Sequence, residues 1–365
     1  MRARVAVVSA VPADRRSSTR LPTLDVLRGV AIVSMLIAHG VPFLWPTGVS
    51  RPLEVALGAV NAVASPLFGL AMGAAAALVW ARPSVRRDWP RRVLTDIARG
   101  VVVFALGMIL VELATWVAIV LHVLGVLMVI GLPVAALAGG SMRAAPPVPA
   151  LRWVLAGLTL SLFVLAPWVT GAVAPGDERL PNGTTGGVAE IWAAFIAGYS
   201  YRAVSLLPFF ALGALLASVG VLDRVGRLAF GSAVSTALLL PAYWLVRRSA
   251  DIALSGDPVD QLFDLALVSL ALALVALVVV VSPRPLWQPV ADLGAVALSV
   301  YALQLVVLRP LMDWEAWQDS AGWAWVSLIT LVLLPSVLMV GWRRRLGPGP
   351  LEHVVALVTG KRVAT

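Results

Sequence analysis

Two histidines, His39 and His122, stand within long apolar stretches of this 365-residue chain. An imidazole there is the side chain best suited to general base work near neutral pH. His39 closes a run that opens Leu24-Asp25-Val26-Leu27-Arg28-Gly29-Val30-Ala31. Read as a helix, the run puts Asp25 and Arg28 three apart on one face and His39 about 21 Å beyond Asp25. The bland use of Asp25 and Arg28 is a structural pair that anchors the helix end. Asn61, Ser65, Tyr301 and Gln304 are expected near the depth of His39, as is His122. Polar groups in so apolar a setting are costly and need a partner, a wet cavity or a function. A single buried histidine is usually a packed structural residue. Two at one level, beside amide, hydroxyl and phenol groups that can hold a substrate, suggest a catalytic constellation.

The elements that must position these residues follow from composition. Hydrophobic residues make up 60% of the chain and charged ones 13%, with a mean hydropathy of +0.92. A soluble fold of this size could not build its polar surface from so few polar residues. The expected fold class is an all-α, polytopic integral membrane protein. Spans of roughly 20 apolar residues fall at 24–45, 56–80, 97–113, 115–138, 151–173, 203–220, 226–246, 261–281, 291–311 and 323–342, about ten in all. Residues 1–20 read as a disordered basic tail, 21–345 as one membrane domain and 346–365 as a C-terminal tail. A separate interfacial helix is expected over 188–200, and Asn182-Gly183-Thr184 matches a glycosylation sequon of little weight.

Charge gives a second estimate of topology. Alternate loops carry Arg82, Arg86, Arg87, Arg91 and Arg92, then Arg143, Arg224, Arg227, Arg284 and Arg343 to Arg345. The opposite loops carry Asp177, Glu178, Glu190, Asp251, Asp257, Asp260, Asp313, Glu315 and Asp319. Ten spans with both termini cytoplasmic satisfy the positive-inside rule. The net charge of +9 is carried almost wholly by arginine, since Lys361 is the one lysine. Arginines in short loops between spans serve topology and anionic lipid, so nucleic acid is not an expected partner. The chain has no cysteine, which excludes disulfides, thiolate metal sites and cysteine nucleophiles; no metal is expected.

Leu24-Asp25-x-x-Arg28-Gly29-x-Ala31 followed by His39 resembles the opening helix of transmembrane acyltransferases. Arg28, ten residues and His39 match the signature of the acyltransferase type 3 family. Four further segments resemble the heparan-α-glucosaminide N-acetyltransferase branch and its uncharacterised bacterial relatives. They are Pro66–Gly73, Ile119–Gly125 around His122, Ala297–Gln304 and Gly349-Pro350-Leu351-Glu352. The loop Gly40–Pro52 departs from that branch in having no second histidine. The resemblance implies an enzyme of a bacterial plasma membrane, part of the cell envelope. It would move an acyl group, an acetyl group in the first instance, from cytoplasmic acyl-CoA to a hydroxyl or amine of a glycan or lipid-linked acceptor outside. Acyl-CoA would be a co-substrate, with no permanently bound cofactor. His39 would act as general base or acyl carrier and His122 as a second catalytic group. Arg28, Arg86, Arg87, Arg91 and Arg92 would meet the phosphates of coenzyme A. The alternatives left open are a proton-coupled transporter of a small lipid-like substrate and a structural subunit.

Overall fold

The computed structural model describes residues 21–143, 149–173, 203–247 and 256–360. The basic tail at 1–20, the sequon at Asn182 and the interfacial helix expected at 188–200 lie outside them. Every regular element among the described residues is helical. Helix α1 spans Pro22–Gly40 and continues as a 3-10 turn over Val41–Thr47. Pro22 stands in its first turn, where a missing N–H costs nothing and a fixed φ favours the helix. Then come α2 (Arg51–Trp80), the short α3 (Pro83–Arg87) and α4 (Trp89–Val111). Helices α5 (Leu121–Ile130) and α6 (Leu132–Arg143) form a pair bent by 53°. Four more follow: α7 (Pro149–Val173), α8 (Ala203–Ser218), α9 (Val225–Arg247) and α10 (Pro258–Val281). A second pair, α11 (Arg284–Ala295) and α12 (Ala297–Asp313), is bent by 79°. Helix α13 (Ala321–Leu346) and the short α14 (Pro350–Val358) complete the described chain.

Seven helices are long and apolar enough to cross a bilayer, and the two bent pairs raise that to as many as nine. Each of the ten expected runs is occupied by a helix or a bent pair. The run expected at 203–220, however, folds as a 16-residue helix, short of the roughly 20 residues a crossing needs. The exposed apolar side chains of α9, among them Phe230, Leu238 and Leu245, fit a lipid-facing surface.

In lipid, helices associate through close packing rather than by hiding apolar surface from water, so small residues mark their contacts. Gly29 on α1 lies against the backbone of Val290, and Gly294 on α11 against the backbone of Asp25 and Gly29. A side chain on either glycine would collide with main chain. The same device joins α2 to α8, where Gly73 meets Phe210 and Gly213 meets Leu70. The first contact sets the distance between the helix that carries His39 and the bent pair that carries Tyr301 and Gln304.

Candidate active site

His39 is buried near the C-terminal end of α1. Its Nδ1 is hydrogen-bonded by the side-chain amide of Gln304, which is fully buried on α12. Tyr301, one turn before Gln304 and on the same face, sets its ring edge-on to the imidazole at a centroid distance of 6.4 Å. The carbonyl of His39 accepts from Trp116 Nε1 at 3.2 Å. Just beyond it Phe43, Trp116 and Trp317 pack edge to face, with centroids 4.9–5.7 Å apart. This aromatic cluster lies at the His39 end of α1. Gln304 Oε1 has no hydrogen-bond partner among the described residues. The amide therefore has both a donor and an acceptor to offer Nδ1, and either tautomer of His39 can be met.

The fourth expected span differs from the unbroken helix predicted over 115–138. Residues Glu112 to Val120 are not helical, and Ala114 adopts a positive φ of 48°. Irregular backbone at membrane depth is tolerated where protein satisfies its polar groups, and two of them have partners on α12 here. Arg309 Nη1 donates to the Ala114 carbonyl at 3.1 Å, and Val120 N–H donates to the Tyr301 hydroxyl at 3.1 Å. Tyr301 thus both borders His39 and pins the unwound segment.

Next to Tyr301 lies a cavity of about 290 Å³, walled largely by apolar side chains that include Met35, Phe68, Met72 and Leu121. It shares Phe68, Met72, Arg99, Leu124, Met128, Ala297, Leu298 and Glu352 with a second cavity of about 550 Å³. The second cavity is lined by Arg28, Arg82, Arg92 and Arg99, against which stand Asp96 and Glu352. Through these shared residues the two adjoin, giving a path from a cationic mouth to the Tyr301 ring; His39 itself lines neither cavity. Arg28 and Asp25 are 3.7 Å apart, the pair expected from their spacing. Arg92 makes a two-pronged ion pair with buried Asp96, which also accepts from Trp80 Nε1 at 3.0 Å.

The expected residues are only partly brought together. His39, Tyr301 and Gln304 form one cluster, and Arg28 and Arg92 line the cationic mouth. Arg87 and Arg91 are exposed and line neither cavity, Arg91 facing Asp88 at 3.9 Å. The side chain of Arg86 lies outside the described residues. His122 packs edge-on to Phe104 at 6.4 Å, with Gly107 close against its backbone. It lines neither cavity, although its neighbours Leu121 and Leu124 do. Asn61 is exposed on α2, and Ser65, half-buried one turn on, also stays clear of both cavities. Sequence reasoning missed Arg82 and Arg99. Arg99 carried a usable signal: it follows Arg92 by two helical turns, inside an apolar run where a charge is costly. No three His, Asp or Glu side chains converge on a metal-sized site among the described residues.

Two motifs that look independent in sequence are bonded to each other. The Glu352 carboxylate accepts from Leu298 N at 2.8 Å, from Ser299 N at 3.2 Å and from Ser299 Oγ at 2.5 Å. In return Ser299 Oγ accepts from Leu351 N at 3.0 Å. A carboxylate thus sits where the first turns of α12 and α14 meet, and the unpaired N–H groups of both are satisfied there.

No curated protein matches the sequence. The acyltransferase type 3 family, described as an acyltransferase domain, matches residues 21–341. That range holds the Arg28-to-His39 spacing, the cluster around His39 and the arginines of the cavity, and it stops short of α14. Of the two branches the sequence resembles, the type 3 family is the one matched. With most of its length covered and its helices long and apolar enough for a bilayer, the chain belongs to the acyltransferase type 3 family and is a membrane acyltransferase.

Proposed function

We propose that the protein transfers an acyl group from acyl-CoA, held in the arginine-mouthed path, to a hydroxyl or amine of a glycan or lipid-linked acceptor that reaches His39 from the opposite end. The observation that carries this reading is the pair of cavities joining Arg28, Arg82, Arg92 and Arg99 to Tyr301, whose ring borders His39. Coenzyme A is a polyanion on a long, thin arm. Guanidinium groups pair well with phosphate oxygens, and a narrow, mostly apolar path suits the arm. Along α1, Arg28 and His39 are separated by about 16 Å at 1.5 Å per residue, so donor phosphates and reacting carbonyl would sit well apart on one straight element.

The step follows from the bonding of His39. With the Gln304 amide turned so that Oε1 takes the place of the amide nitrogen beside His39, Nδ1–H donates to Oε1, and His39 Nε2 is the basic nitrogen that takes the proton of the attacking hydroxyl or amine. The acceptor oxygen or nitrogen bonds to the thioester carbon, the C–S bond breaks, and the imidazolium returns the proton to the departing thiolate. Each proton taken is given back, so His39 ends as it began. The Gln304 amide holds the ring through both stages.

The test is CoA binding to the purified protein in detergent by calorimetry. Arg28→Gln and Arg99→Gln should weaken binding, and the loss should shrink as salt is raised, because such charge pairs are screened. CoA affinity unchanged in both variants would overturn the donor assignment.

A further inference from the structure

We propose that the C-terminal helix α14 is the closing wall of the donor path and that Glu352 is the residue that positions it; the proposal rests on the reading above that acyl-CoA occupies the path. Helix α14 places Glu352, Val355 and Ala356 on the cavity beside Tyr301, and Thr359 just after it adds to the same wall. Their spacing of three, four and seven residues marks one face of a helix. The other side shows Val354, Leu357 and Val358, all exposed and apolar, as befits a short helix lying where protein meets lipid. One side of α14 thus faces the path and the other faces away from the protein.

Several features hold this wall in place. After α13 the chain turns at Gly347, whose φ of 91° is a left-handed conformation that favours glycine, and Trp342 Nε1 donates to the Pro348 carbonyl at 2.9 Å. Gly349 then passes so near Ser299 and Glu352 that a side chain would strike the hydroxyl and the carboxylate. The Glu352 and Ser299 bonds tie the first turn of α14 to the first turn of α12. That same helix carries Tyr301 and Gln304, so one carboxylate sets both the wall of the path and the start of the element that orients His39. Helix α14 lies beyond residues 21–341, which the family pattern matches.

The lack of native cysteine allows a direct test on the full-length protein in detergent. Single cysteines replace Ala356 on the path face of α14, Leu357 on its outer face and Met72 on the opposite wall of the path. Maleimide labelling rates are measured with and without CoA. With CoA at about ten times its Kd, labelling of Ala356→Cys and Met72→Cys should slow about tenfold, by simple occupancy, while Leu357→Cys is unaffected. Protection at Met72→Cys without protection at Ala356→Cys would overturn the wall and leave the donor reading intact. Protection at neither would sink both. Equal protection at Ala356→Cys and Leu357→Cys would also overturn the wall, because the effect would not be one-sided. Adding Glu352→Gln to each reporter separates positioning from general loosening. It should speed labelling of Ala356→Cys and leave Met72→Cys unchanged, with Glu352→Asp restoring part of the difference; equal acceleration at both positions would overturn the positioning role. The first set of variants keeps Glu352, so the wall remains testable even if Glu352→Gln fails to fold.

Discussion

At the scale of single residues, the proposed chemistry centres on His39 and the two α12 side chains set against it. General base catalysis contributes typically about 10²–10⁴-fold in rate, so His39→Ala should insert and fold while acyl transfer falls at least to the lower figure. Turnover close to that of the parent would dismiss His39 as the base. Tyr301→Phe tests a different bond. It removes the acceptor of the Val120 N–H, and an unsatisfied buried amide costs about 1–3 kcal/mol; the variant should melt earlier, and an unchanged melting temperature would show that the unwound segment is held by other means. His39, Tyr301 and Gln304 were legible in sequence because counting along a helix gives depth, and the three do share one depth. Asn61 and Ser65, which the same counting puts at that depth, line neither cavity. Depth follows from residue number, whereas direction depends on which neighbour a helix packs against, and that is set by long-range contacts. The arginines show the same limit: exposed Arg87 and Arg91 lie in a conspicuous run, while Arg99 lines both cavities from inside a span.

At the scale of elements, the bundle depends on two bends and on glycine contacts between helices. The hydropathy of residues 115–138 and 291–311 is continuous, so both read as plain spans. Residues far along the chain bond to the non-helical stretch before α5, through Arg309 and Tyr301, and to the first turn of α12, through Glu352. Hydropathy registers side chains and not these partners, which is why the positions of the helices were legible and these interruptions were not. Gly29 belongs to the opening motif and packs on Val290, with Gly294 facing it from α11. Gly29→Leu should push α11 away and, through the bend at Val296, displace Tyr301 and Gln304 from His39. Overpacking typically costs about 1–3 kcal/mol or more. The expected result is a lower melting temperature together with a loss of acyl transfer larger than CoA binding would account for. If Gly29→Leu melts and turns over like the parent protein, the α1–α11 contact is not what sets the site.

At the scale of the whole molecule, the path has a direction. Asp25, Arg28, Arg82, Arg92, Arg99 and the Asp292–Arg344 pair gather toward one end of the bundle. The other end holds His39, the aromatic cluster around Phe43, and the start of α13. Arginine-rich loops favour the cytoplasmic side, and that is also where acyl-CoA would be met, so charge and proposed chemistry demand the same orientation. Two exposed positions report on it: Ser84 in α3, and Ser320 at the N-cap of α13. In intact cells, Ser320→Cys should react with a membrane-impermeant thiol reagent, while Ser84→Cys should react only after the membrane is opened. The protein has no cysteine of its own to confuse the signal. Labelling of Ser84→Cys in sealed cells would put the cationic mouth outside, away from cytoplasmic acyl-CoA. The proposed direction of transfer would then fail even if His39→Ala and the arginine variants behaved as expected, because the donor could not reach the arginines from the side on which it is held.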